Sequence, residues 1–256
     1  MKRFPSDLPV LYEDEWLIAV NKPAGFPILP DRDARSRLCL RALLRRLWPN
    51  AAPVSTLDIE ASGVVLAAKT AETAAALAPL WRAALSPVRH LALVQGALPE
   101  PAVEIRGPLE ADPDRPGRRR MAARGGSGGG LTRAETVEAF RTHALLAVRS
   151  GGRAEHQLRI HLAHIGCPLA ADRLYGDGRG LFLSALKPGY RPKPDRPERP
   201  LIGRPALHAE RLDLEHPVAR TPLSIAAPWP DDLRIAVKYL KKFAPRPGPV
   251  LQSEPG

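Results

Sequence analysis

Cysteine is almost absent: the 256 residues contain two, Cys39 and Cys167, far apart and without a C-x-x-C pair. That scarcity argues against a zinc ribbon or a disulfide framework and fits a reducing compartment. No apolar run approaches the roughly 20 residues that a membrane span requires, and residues 1–9 lack the hydrophobic centre of a signal peptide. The expectation is a soluble, cytoplasmic chain with no membrane partner. Internal repeats are missing, and no composition shift separates two cores. A phosphate-cradling loop is missing too, because the Gly/Ser tract within residues 112–130 has neither strand-to-helix flanks nor a Lys-Ser/Thr ending. A metal site is not expected. His156, His161 and His164 share one segment, but only the last two are three apart, and no carboxylate or cysteine joins them at ligand spacing.

Acidic residues are in deficit, 27 Asp and Glu against 38 Lys and Arg, for a net charge of +11. A polyanionic partner is favoured, with nucleic acid as the default. Most of the positive charge is arginine, whose planar fork stacks on bases and grips phosphate oxygens in pairs, which suits RNA. Solubility and base composition of the gene account for such a bias equally, so charge alone does not decide. The length suffices for a substantial core without staples. One domain is expected over residues 8–243, with residues 244–256 as a disordered tail and no sequence ahead of residue 8 for a small appended RNA-binding domain.

Along that domain, residues 10–20 hold two short apolar runs split by Glu13 and Asp14, a hairpin pattern. Residues 34–48 carry leucines at mostly helical spacing, with Arg41, Arg45 and Arg46 on the remaining surface. A buried strand is expected over residues 62–69, followed by an Ala-rich helix capped by Thr70 and running to about residue 85. Strands are expected at 90–95, 132–140, 145–149, 207–214 and 223–226, and helices at 156–165, closed by Gly166, and 232–243. Residues 112–130, with Arg118, Arg119 and Arg120, read as a mobile basic loop, and 187–205 as a Pro/Arg-rich insertion. Runs of strands broken by isolated helices indicate an α+β fold with a mixed, mainly antiparallel sheet and flanking helices.

The segment Ser55-Thr56-Leu57-Asp58-Ile59-Glu60-Ala61-Ser62-Gly63 sets an acid in a turn just before a strongly apolar strand. A carboxylate there is partly desolvated and able to act as nucleophile or base if a neighbouring cation holds it ionised. An ordinary Asx turn, the commoner use of such a loop, fits the same nine residues.

Leu57, Asp58, Ser62 and Gly63 match the His-Arg-Leu-Asp-x-x-Thr-Ser-Gly pattern of the RluA-type pseudouridine synthases, and the chain resembles that family in order over most of its length. Residues 11–25 resemble its opening strands and Asn-Lys-Pro-Ala-Gly turn. Residues 90–96 resemble a strand that normally begins with Tyr. Gly152-Arg153 and His156-Gln157-Leu158-Arg159 with His161 resemble its Gly-Arg and His-Gln-(Ile/Leu)-Arg-x-His motif. Gly166, Pro168, Asp172, Tyr175 and Gly176 follow at the family spacing, and Leu207-His208-Ala209, His216-Pro217 and Ala227-Pro228 resemble the closing strands.

The resemblance implies a cofactor-free isomerase that converts uridine to pseudouridine in structured ribosomal or transfer RNA; a monomer is the separate expectation for its assembly. It implies Asp58 as the catalytic carboxylate, Arg159 as the ion-pair partner that keeps it ionised, and His90 as the group packing against the base. Thr56, Leu57, Arg153, His156 and Gln157 are implied to line the substrate site. The target uridine has to be extruded from its stack, at a cost of a few kcal/mol. Arg118, Arg119 and Arg120 are candidates for the offsetting phosphate contacts, though a solvated charged surface explains them equally.

Three departures stand out. Thr56 replaces the family Arg, His90 replaces the family Tyr, and Ala154-Glu155 stand where one residue is usual, which puts the register of Arg153 in doubt. With an ordinary imidazole pKa near 6.5, His90 would make activity vary between pH 5 and 8. The departures also admit a rival: a non-catalytic relative that binds RNA as a folding or ribosome assembly factor.

Overall fold

The computed structural model describes residues 8–30, 38–115, 118–122, 129–152, 154–192, 195 and 197–246. In chain order the elements are β1 (Val10–Glu13), β2 (Leu17–Lys22), α1 (Leu40–Leu47), β3 (Ala52–Pro53), β4 (Ser62–Ala68), α2 (Ala71–Leu77), β5 (Val88–Gln95), β6 (Ala102–Arg106), β7 (Leu109–Ala111) and β8 (Arg119–Met121). They continue as β9 (Leu131–Ala139), β10 (His143–Ser150), α3 (Gln157–His164), α4 (Leu183–Leu186), β11 (Leu207–Glu215), β12 (Pro222–Ala226) and α5 (Asp231–Phe243). Ten of the strands form one sheet ordered β1-β2-β4-β11-β5-β10-β9-β6, with β12 on β11 and β3 on β4. Every pairing is antiparallel except β4 with β11. The α+β class expected from the sequence is the class observed.

Strand alternation positions the two faces. On β5, Ala92 and Val94 face a core shared with Leu158 and Leu162 of α3, whereas Leu91 and Leu93 face a core shared with Leu233, Val237 and Leu240 of α5. His90, in step with Ala92, therefore lies on the α3 face. The parallel join of β4 and β11 depends on Gly63, which pairs with Ala209. Its φ is +118°, and a Cβ there would lie 2.1 Å from the Ala209 carbonyl oxygen, so no other residue fits.

Several boundaries differ from expectation. Thr70 does cap α2, its Oγ1 accepting from the Thr73 N–H at 3.2 Å. The helix stops at Leu77, however, and continues only as a short turn around Pro79, whose missing N–H cannot extend an α-helical ladder. Helix α1 is seen from Leu40, and residues 31–37 lie outside the described residues. The stretch expected as a mobile basic loop contains a β-ribbon, with Leu109 opposite Met121 and Ala111 opposite Arg119. The ribbon forms because the Arg run finds acids and carbonyls across the turn, as in the 2.8 Å bond from Arg120 Nε to Glu110. Residues 116–117 and 123–128 lie outside the description. In the stretch expected as a tail from residue 244, Ala244 is buried and Pro245 bridges to Phe140. Residues 247–256 are not described.

Candidate active site

The Asp58 loop is built around a buried ammonium. Lys22 ends β2 opposite Gly63 and is completely buried. Its Nζ donates to the carbonyls of Ile59 (3.1 Å) and Ala61 (2.6 Å) in the loop, and to those of Pro23 (3.1 Å) and Phe26 (3.0 Å) in its own turn. The Ile59 carbonyl also accepts from the Gly25 N–H at 2.7 Å. The Asn-Lys-Pro-Ala-Gly turn thus serves as the floor on which the acid's loop rests. Burial, with Arg204 nearby, pushes Lys22 down to about 7, and the charge of Asp58 opposes that shift.

Asp58 itself is one-fifth exposed, its side chain 21% accessible at the edge of a cavity. Burial raises its carboxyl above the ordinary range, against the lowering pull of His156, Arg159 and Lys22 and with the support of Glu155. The Arg159 guanidinium, 1% exposed, lies 3.7 Å from Asp58 through Nη1. Its closest partner is a different acid: Nε and Nη2 grip the two oxygens of Asp172 at 2.8 and 2.7 Å, a bidentate pair. Nη2 also reaches Glu60 at 3.2 Å. Arg159 is therefore not reserved for Asp58, as the sequence led us to expect. One guanidinium serves three carboxylates, and a buried fork first satisfies the fully buried one.

Asp172 accepts backbone N–H bonds from Leu174 and Tyr175 as well. Those bonds and Arg159 hold it below the usual carboxylate range despite burial, which works the other way. Tyr175 completes the constellation. Its ring lies beneath Arg159, 5.3 Å from the guanidinium carbon, and its hydroxyl meets His156 Nδ1 at 3.0 Å. Asp172 and Tyr175 entered the sequence reading only as spacing matches. A buried Arg demands an acid, but among 27 Asp and Glu nothing local marked Asp172 as that acid.

A cavity of about 700 Å³ opens beside this cluster, lined by Thr56, Leu57, Asp58, His90, His156, Arg159 and others. It is large enough for an extruded nucleotide, and it brings together the three expected catalytic residues. His90 is 93% buried by difference from its 7% exposure, and its Nδ1 has no hydrogen-bond partner among the described residues. Burial pushes its imidazole down to about 4, so it is neutral from pH 5 to 8 and the expected pH dependence through His90 is withdrawn. Thr56 is exposed at the rim.

His156 precedes α3 in the left-handed region, φ 58°, which turns its ring towards Tyr175. Gln157, expected to meet substrate, spends its amide nitrogen on the carbonyls of Gly151 (2.9 Å) and Leu131 (3.2 Å), pinning α3 to β9. His161 is likewise internal, bonded to Thr132 Oγ1 at 2.9 Å. Arg153 lies outside the described residues. Of the basic run, Arg119 reaches the Leu109 carbonyl and Arg118 that of Arg173, while Arg120 pairs with Glu110 and is exposed. The ribbon carrying them packs against α3, near the cavity rather than in it.

An acid beside a buried guanidinium, at the wall of a cavity on a mainly antiparallel sheet, is an arrangement suited to an enzyme site. The chain belongs to the RNA pseudouridylate synthase family, whose model matches residues 16–164. It is 34% identical over 253 residues to the ribosomal large subunit pseudouridine synthase D of Xanthomonas campestris, covering 94% of this chain and 72% of that protein. The protein of the same name from Xylella fastidiosa is 33% identical over 90% of this chain and 69% of its own length. The fold is also that of human RNA pseudouridylate synthase domain containing 4, with a TM-score of 0.66 at 19% identity over 94% of this chain and 95% of that one.

Proposed function

We propose that this protein isomerises one or a few uridines of large-subunit ribosomal RNA to pseudouridine, with Asp58 as the reacting carboxylate. Uridine isomerisation in RNA is the activity of its family, and the choice of RNA follows the names of its most similar relatives. The observation that carries the assignment to Asp58 is its position on the cavity wall, partly desolvated yet within reach of a buried guanidinium. Such a carboxylate is reactive towards a ribose or uracil atom and cannot be neutralised by a tight bidentate bond, because Asp172 holds that bond.

In this reading Arg159 orients Asp58 and stabilises charge. His90, Leu57 and Leu158 supply a dry wall for the extruded base, and Thr56 lies where the displaced strand passes. Arg118 and Arg120 on the ribbon, with Arg153, meet phosphates, so binding weakens as salt rises. The ten-stranded sheet, which draws on both ends of the chain from β1 to β12, supports residues 8–243 as one catalytic domain. Action in the cytoplasm as a monomer is part of the same proposal; among the described residues no helix is long and apolar enough to cross a membrane.

The test is pseudouridine mapping of ribosomal and transfer RNA from cells with the gene intact, deleted, or carrying Asp58→Asn. Loss of the same large-subunit sites in both altered strains is the expected result. An unchanged map, with RNA still co-purifying with the protein, would instead favour the non-catalytic RNA-binding relative.

A further inference from the structure

Lys22 holds the Asp58 loop, and a second cation near it, which neither the motifs nor the Asp58 cavity singled out, holds the loop too. Arg204 stands at the end of the Pro/Arg-rich insertion, just before β11, with its side chain 17% exposed. Nε and Nη2 grip the oxygens of Asp232, in the first turn of α5, at 2.8 and 3.0 Å. Nη1 faces three carbonyls at 3.2 Å each: those of Pro205 and Leu207, where the chain enters β11, and that of Glu60 in the Asp58 loop. Nη2 further donates to Ser62 Oγ at 3.2 Å.

The contacts form a chain with one direction. His208 Nε2 meets the Ala227 carbonyl at 3.4 Å, which assigns the ring proton to that nitrogen. Nδ1 is then an acceptor and takes the Ser62 hydroxyl proton at 3.0 Å. Ser62 Oγ, having donated, accepts from Arg204. Thus Asp232, Arg204, Ser62, His208 and the Ala227 carbonyl are each served in turn.

Glu60 is where this chain meets the chemistry. Its carboxylate lies 3.2 Å from Arg159 Nη2, and its carbonyl lies 3.2 Å from Arg204 Nη1. The residue two places after Asp58 is therefore fixed to both guanidiniums, one through its side chain and one through its backbone. Asp232 in turn belongs to α5, which packs on the sheet face opposite α3.

We propose that Arg204 is a positioning residue for the isomerisation: by clamping Glu60 and Ser62 to Asp232, it sets the distance of Asp58 from Arg159 and couples that distance to the seating of α5. A lysine cannot replace it, because one ammonium cannot span a carboxylate, three carbonyls and a hydroxyl at once. The proposal rests on the isomerase reading for its catalytic half.

The test uses the full chain with Arg204→Gln, Arg204→Lys and Asp232→Asn. It reads amide hydrogen exchange by residue, and kcat and KM on ribosomal RNA from the deletion strain. For Arg204→Gln, exchange at residues 59–62 should rise at least about tenfold with residues 91–94 unchanged, and kcat should fall about 10- to 100-fold with KM within about threefold. Arg204→Lys should lie between that variant and wild type, and Asp232→Asn nearer wild type. Should the Gln variant fail to fold, the other two decide. Wild-type kcat in both, or loop exchange equal to wild type, overturns the proposal, as does a rise in KM at constant kcat. Wild-type protein without turnover on any RNA would sink the isomerase reading and the catalytic half with it, whereas the exchange comparison tests the clamp independently.

Discussion

Two aspartates share Arg159, and their circumstances are opposite. Asp172 is fully buried, doubly bonded to the fork and capped by two backbone N–H groups, and its carboxyl is held below the ordinary range. Asp58 is at the cavity edge, 3.7 Å from the same cation, and burial pushes its carboxyl up. The same guanidinium thus makes one carboxylate inert and leaves the other under-paired. On the proposed reading, what separates the structural acid from the reactive one is the share of hydrogen-bond donors each receives, rather than the presence of a cation beside it.

The largest effect should come from Asp58→Asn, which keeps the shape and removes the reacting oxygen. Turnover should fall by at least about 10³-fold with RNA affinity retained. Because folding raises the carboxyl of Asp58, the folded state disfavours its charge. That cost is absent below the unfolded pKa and complete above the folded one, so at neutral pH the Asn variant should melt no lower than wild type. A clear drop in melting temperature would show that Asp58 is a structural acid after all and dissolve the comparison.

Asp172→Asn should do the reverse. It leaves a buried guanidinium short of its tight partner and should cost about 3–5 kcal/mol in chemical denaturation. With its folded pKa depressed, Asp172 contributes stability that is present above the unfolded pKa and lost as pH falls through the folded one. The deficit of the variant should accordingly shrink at acid pH. A second consequence sharpens the contrast further: Arg159, released, should draw on Asp58 more strongly and move the acid limb of kcat/KM to lower pH. An unmoved limb would mean that Asp172 does not compete for the cation.

The sequence carried the sheet well where alternation is strong, as in β5, β9 and β11, and carried the helices where caps are explicit, as at Thr70. It failed where tertiary partners override local signals. Arg118-Arg119-Arg120 read as loop because a charged run has no apolar period, yet Glu110 and the Leu109 carbonyl give two of these arginines partners across a ribbon. At the site, Asp58, Arg159 and His90 were singled out by the family resemblance, and the cavity brings them together. Gln157 lines the cavity, but its motif does not show which carbonyls its amide nitrogen meets. Asp172, Lys22 and Arg204 were not legible as parts of the site, since their roles consist of contacts 13 to 144 residues away.

The smallest effect should come from His90→Phe. An imidazole lowered to about 4 is uncharged throughout the neutral range, so the ring acts by shape and contact. Phenylalanine keeps a planar ring at that place and removes both ring nitrogens, of which the buried Nδ1 lacks a partner among the described residues. Turnover should change by no more than about threefold, a loss comparable with one ordinary hydrogen bond or less, and the pH profile from 5 to 8 should keep its form. Any bend near pH 7 belongs instead to Lys22, lowered to about 7 beneath the Asp58 loop, and should persist in the His90 variant. Four carbonyls around its Nζ are served better by an ammonium than by an amine, so deprotonation above that bend should loosen the loop and lower kcat. A bend that vanishes with His90→Phe would place the titration in the imidazole and overturn this assignment.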